Sequence, residues 1–120
     1  MSQVLLVEDN DFIRKMYVMK LSKAPGIDIV EAADGEAGLE AYKAHQPDLI
    51  LLDIMMPKMS GLEVLEQLQK LGSKTPVIIL SNVLSSDTRQ AADKYGVVDY
   101  IIKSDLTPSQ VLEKIQANLK

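Results

Sequence analysis

Leu49-Ile50-Leu51-Leu52 is an unbroken aliphatic run that ends directly in Asp53 and continues into Ile54-Met55-Met56-Pro57. A run this short and this continuous reads as a parallel strand covered on both faces. Ligands of such sheets gather where the carboxyl ends of the strands open, so Asp53 falls on a functional rim. A carboxylate buried there is costly unless cations or hydrogen-bond donors meet it.

The rest of the chain supplies those partners at the ends of other strands. Gln3–Val7 is a β-rich run ending in Glu8-Asp9-Asn10-Asp11, Val77–Leu80 ends in Ser81-Asn82, and Val97–Ile102 ends in Lys103-Ser104. Ile27–Val30 reads as a further strand. Between them lie helical patterns. The first carries Phe12, Ile13, Met16, Tyr17, Met19 and Leu21 and stops at Pro25-Gly26; the second starts at Asp34-Gly35 and stops at Gln46-Pro47. The third opens with a Ser60/Glu63 capping box and carries Leu62, Val64, Leu65, Leu68 and Leu71. A weaker helix spans about Asp87 to Tyr95, and Thr107-Pro108-Ser109-Gln110 opens the last. Five strands alternating with five helices predict an α/β fold: a three-layer α/β/α sandwich on a parallel sheet, as one domain over residues 1–120. The pattern does not fix the strand order. An order of 2-1-3-4-5 would place the switch point between the first and third strands and bring Asp9 beside Asp53.

Glu8, Asp9 and Asp53 form a set of hard oxygen donors suited to Mg2+, while the lack of cysteine and the single histidine argue against zinc. A magnesium ion lets an anionic phosphoryl group approach a carboxylate, with Lys103 and the Ser81 hydroxyl on the remaining phosphoryl oxygens and Asp53 as nucleophile. The formal charge of −4 argues against direct nucleic-acid binding. Met1-Ser2-Gln3 has no basic leader and no segment is long enough to insert in a membrane, so a cytoplasmic setting is expected.

Glu8-Asp9, Asp53 with Ile54-Met55-Met56-Pro57-Lys58-Met59-Ser60-Gly61, Ser81, and Asp99-Tyr100 with Lys103 together resemble the receiver domain of bacterial two-component response regulators, over the whole chain. The resemblance implies a flavodoxin-like fold with sheet order 2-1-3-4-5. It implies that Asp53 accepts a phosphoryl group from a histidine kinase or phosphotransfer protein, and that the chain is no enzyme beyond its own phosphorylation and dephosphorylation. Asp9 and Asp53 would bind Mg2+ directly, with Glu8 assisting and the Met55 backbone carbonyl completing the protein ligands. Ser81 and Lys103 would bond the phosphoryl oxygens. Movement of Ser81 would let Tyr100 turn inward and alter the face of helix 4, strand 5 and helix 5, in a monomer or a weak phosphorylation-dependent dimer. The downstream target would be a protein. Three departures from the family pattern stand out. Ser104 replaces the usual proline after the lysine, Asn82 is bulky and narrows access to Asp53, and Met55 and Val83 are apolar where relatives orient the attacking water. The last departure predicts a long-lived phosphoaspartate.

Each residue also has a bland reading. Asp9, Asn10, Asp11 and Asp34 suit helix caps or solvated turns, His45 a helix end, and Tyr100 an edge-strand aromatic. Met55, Met56 and Met59 suit loop cover. Rival functions are a phosphorylation-independent docking module, an aspartyl phosphatase and a flavodoxin-like cofactor binder. Met55 stands where the phosphatase needs a second acid, and Glu8-Asp9-Asn10-Asp11 would repel the phosphate of a cofactor.

Overall fold

The computed structural model describes residues 2–56, 58–82 and 85–119; Pro57 and Val83 lie outside the described residues. Five strands, β1 (Ser2–Val7), β2 (Ile27–Ala32), β3 (Leu49–Leu52), β4 (Val77–Ser81) and β5 (Asp99–Ile102), alternate with five helices. These are α1 (Asp11–Leu21), α2 (Gly35–His45), α3 (Gly61–Lys70), α4 (Ser86–Asp93) and α5 (Pro108–Asn118). All ladders are parallel and the order is β2-β1-β3-β4-β5, as the resemblance implies.

Strand side chains alternate between faces, so each strand feeds two cores. Val4, Leu6, Leu49, Leu51, Ile78 and Leu80 face Tyr17 and Leu21 of α1 and Val111 and Ile115 of α5. Leu5, Val7, Ile50, Leu52 and Ile79 face α2, α3 and α4 through residues such as Val64, Leu65, Leu68 and Ala92. The continuous apolar run of β3 is therefore fully buried on both sides.

Caps fix most helix starts. Asn10 accepts from the Ile13 N–H at 2.9 Å, Asp34 from Ala37 at 2.8 Å, and Ser60 from Glu63 at 3.3 Å. Both halves of a capping box form at Thr107 and Gln110, with Pro108 in the first turn. Asn10 and Asp34 thus serve as caps, and His45 is exposed in the last turn of α2.

Several boundaries and faces differ from expectation. On α1, Phe12 is 79% and Met19 56% exposed, because the buried stripe follows Arg14, Tyr17 and Leu21 and leaves those two on other sides of the helix. Leu71 caps α3 from an exposed position. α4 starts at Ser86, because the Ser85 hydroxyl takes the Thr88 N–H, and it ends at Asp93. β5 begins only at Asp99, paired with Ile78; Val98 donates its N–H to the Val77 carbonyl but stays exposed before the ladder. β2 runs on to Ala32.

Candidate functional site

The carboxyl ends of β1 and β3 adjoin at the switch point, where the Asp53 N–H donates to the Val7 carbonyl at 3.0 Å. One residue past each strand stand two buried acids, Glu8 at 0% and Asp53 at 3% exposure. Carboxylate oxygens of Glu8, Asp9 and Asp53 all lie within 4.8 Å of one another. β5 brings Lys103 to the same place: its N–H donates to the Ser81 carbonyl at 2.8 Å, and its Nζ reaches Asp53 Oδ2 at 3.4 Å. The ammonium makes its shorter contact with Glu8 Oε1, so this lysine bridges both acids.

Two buried carboxylates against one ammonium leave a negative excess. Burial first and Glu8 second push the Asp53 carboxyl up to about 7, while Lys103 and the Met55 N–H, which donates to Asp53 Oδ1 at 3.1 Å, pull the other way. Near neutral pH a proton therefore makes up part of the missing positive charge. A divalent cation on the same oxygens would take that place. The donor set is all oxygen and is compact enough for one hard ion.

The loop after β3 is tied down by its own glycine. Gly61 opens α3 with its N–H on the Ile54 carbonyl at 3.0 Å, and a Cβ there would sit 2.6 Å from the Asp53 carbonyl oxygen and 2.7 Å from Ile54 Cα. Glycine is what lets α3 pass this close to the backbone of Asp53.

An open cavity above the acids is lined by Glu8, Asp9, Asn10, Ile13, Asp53, Met55, Asn82 and Lys103. Asn82, rather than the fully buried Ser81, forms the β4 side of its wall. Met55 is exposed at the mouth, whereas Met56 is buried and Met59 packs against the second core, so only the first of the three faces solvent freely. Ser104 follows Lys103 through a trans peptide, as no cis bond occurs among the described residues. Tyr100 stands apart from the cavity. Its hydroxyl donates to Asp93 and lies 3.2 Å from the Arg89 carbonyl, and the Arg89 guanidinium stacks 4.5 Å from its ring centre, so the side chain points towards α4. Burial and the hydrogen bond to Asp93 push its hydroxyl up to about 12.

A family model of the response regulator receiver domain matches residues 4–116. The chain belongs to the response regulator receiver family. This receiver is 37% identical, over all of its length, to the protein-glutamate methylesterase/protein-glutamine glutaminase 1 of Oleidesulfovibrio alaskensis, of which it covers 33%. It is 34% identical over 98% of its length to the probable transcriptional regulator ycf27 of Porphyridium aerugineum, of which it covers 48%. It thus spans a third to a half of these curated relatives. Among solved structures, the chemotaxis protein CheY4 of Vibrio cholerae superposes with a TM-score of 0.91 at 29% identity, each chain covered to 99%. The response regulator domain of Thermotoga maritima CheB gives 0.84 at 30% identity, covering 98% of this receiver and 92% of that chain. Among the described residues, no helix is long and apolar enough to cross a membrane.

The reading of α1 from its apolar residues alone missed Arg14. It occupies an apolar-stripe position of α1 yet carries a charge, and only its position three residues before Tyr17 and seven before Leu21 signals that it faces inward.

Proposed function

We propose that this receiver is a phosphorylation-dependent signalling switch in which Asp53 is the phosphoacceptor. The carrying observation is the convergence of buried Asp53 with Glu8, Asp9 and Lys103 at one open rim. In its ionised form Asp53 attacks the phosphorus of a phosphohistidine on a partner kinase or phosphotransfer protein. The new bond is Oδ–P; the P–N bond breaks and its electron pair stays on the imidazole nitrogen. Water later cleaves the acyl phosphate and releases inorganic phosphate.

Mg2+, held by Asp9, Asp53, Glu8 and the Met55 backbone carbonyl, would supply the positive charge that lets the two anions meet. Lys103 is already in reach of the Asp53 carboxylate and, with Ser81, holds the phosphoryl oxygens. The exposed side chain of Met55 has no donor with which to orient water, which favours a long-lived phosphoaspartate. Tyr100 is the switch residue, and its outward position on α4 belongs to the unphosphorylated state. Its inward turn alters the α4-β5-α5 face, through which the domain signals by protein contact rather than by binding nucleic acid or membrane. Residues 1–120 act as one domain, monomeric or weakly dimeric on phosphorylation, in the cytoplasm.

Intact-mass spectrometry after incubation with acetyl phosphate tests the reading. A gain of one phosphoryl group that requires Mg2+ and is lost in Asp53→Asn is expected. No gain, repeated with a phosphoramidate donor, would instead make the chain a phosphorylation-independent docking module.

A further inference from the structure

Arginine is seldom buried, because its charge must be matched on every side. Arg14 is only 8% exposed, and its guanidinium reaches three different parts of the fold. Nε donates to Glu31 Oε1 on β2 at 3.0 Å, Nη2 to Asp11 Oδ1 at the start of α1 at 2.6 Å, and Nη1 to the main-chain carbonyl of Glu8 at 2.9 Å. Burial works against its charge, and the hydrogen bonds to Asp11 and Glu31 outweigh it, raising its pKa.

The Glu8 carbonyl is the informative partner. It lies one residue beyond the last pairing of β1 with either neighbour, where the ladder no longer fixes the chain. Yet both main-chain groups of Glu8 are held: the N–H donates to the Ala32 carbonyl at 3.1 Å, and the carbonyl accepts from Arg14. The Glu8 carboxylate in turn accepts the Asn10 N–H at 3.1 Å. The turn that aims Glu8 and Asp9 at Asp53 is thereby set from behind. A lysine has the charge but not the fork needed to hold three acceptors in different directions.

Resting on the receiver reading above, we infer that Arg14 is a positioning residue for the cation site. It does not touch the ion; it fixes the β1–α1 turn so that the Glu8 and Asp9 oxygens converge with those of Asp53.

The test is a titration of the whole chain with Mg2+ alone, followed through the amide NMR signals of Asn10 and Met55, for wild type and Arg14→Lys, alongside thermal melting. About tenfold weaker Mg2+ binding is expected in Arg14→Lys. Phosphorylation by acetyl phosphate should recover towards the wild-type rate once Mg2+ is saturating. A lowered melting point with Mg2+ affinity within twofold of wild type would make Arg14 merely structural and overturn the inference. Glu31→Ala keeps the test valid if Arg14→Lys does not fold. Its side chain is half-exposed, and it removes only the Nε anchor. A twofold to fivefold loss of affinity is expected there, and unchanged affinity would count against the inference in the same way. A wild type whose signals ignore Mg2+ would instead overturn the cation reading itself, and the role of Arg14 with it.

Discussion

At the β1–β3 side of the rim Glu8 and Asp53 are each held from several directions, whereas at the β4–β5 edge the polar tether of one aromatic side chain comes from a single helix. Glu8 has both main-chain groups and its carboxylate bonded, and Asp53 is fixed by Val7, Met55, Lys103 and the close approach of Gly61. The Tyr100 hydroxyl and ring face are tied to α4, through Asp93 and Arg89, and α4 itself has eight residues with Ala92 alone buried. Chemistry requires groups held in place, while a switch requires two arrangements of similar energy. On the function proposed above, the two sides of this rim would divide those demands between them.

The largest test of this contrast is pH. Asp53 holds its proton up to about 7 in the folded chain against 3.8 for the ordinary group, so the native state binds more protons than the unfolded state across that window. Stability without Mg2+ should therefore fall as pH rises from 4 to 7 and level off above, by on the order of a few kcal/mol. Urea unfolding of wild type and Asp53→Asn across this range isolates the effect, since the variant lacks the titrating group. Adding Mg2+ at pH 8 should restore the wild type. Parallel curves for the two proteins would show that the acids are not crowded as described.

Next in size, Gly61→Ala should cost about 1–3 kcal/mol, because its methyl group meets backbone rather than a yielding side chain. The same change should slow phosphorylation of Asp53 by shifting its main chain. A variant equally stable and equally fast would show that the rigid side tolerates more than its contacts imply. The smallest effect belongs to the other edge. Asp93→Ala should change stability by less than about 1 kcal/mol, as for other partly exposed polar pairs. Tyr100 should nonetheless titrate closer to its ordinary 10 than to about 12, read from its ring signals by NMR. An unmoved titration would mean that α4 does not hold the ring.

Strands, helix starts and the acids of the rim are the parts legible in the sequence. Unbroken apolar runs ending in Glu8, Asp53 and Ser81 declare buried strands and mark the rim, and Ser60, Asp34 and Thr107-Pro108 declare helix starts through their caps. Strand order came only through family resemblance, because parallel strands all look alike locally. Phe12 and Met19 misled because a helix buries one stripe, and apolar residues off that stripe remain in water. Arg14 escaped because burial of a charge depends on partners as distant in sequence as Glu31. The preference of Lys103 for Glu8 and the grip of Asp93 on Tyr100 depend on side-chain reach across elements, which no spacing encodes.

Lys103 and Glu8 stand 95 residues apart in the chain, and Lys103 and Asp53 stand 50 apart. During synthesis on the ribosome, the two acids emerge long before the ammonium that lies between them. Until that lysine arrives the two acids lack the cation they share, although all five strands already precede it in the chain. On the reading proposed above, competence to accept a phosphoryl group would be a late event in the life of each molecule, because the full set of rim charges exists only once Lys103 has been made.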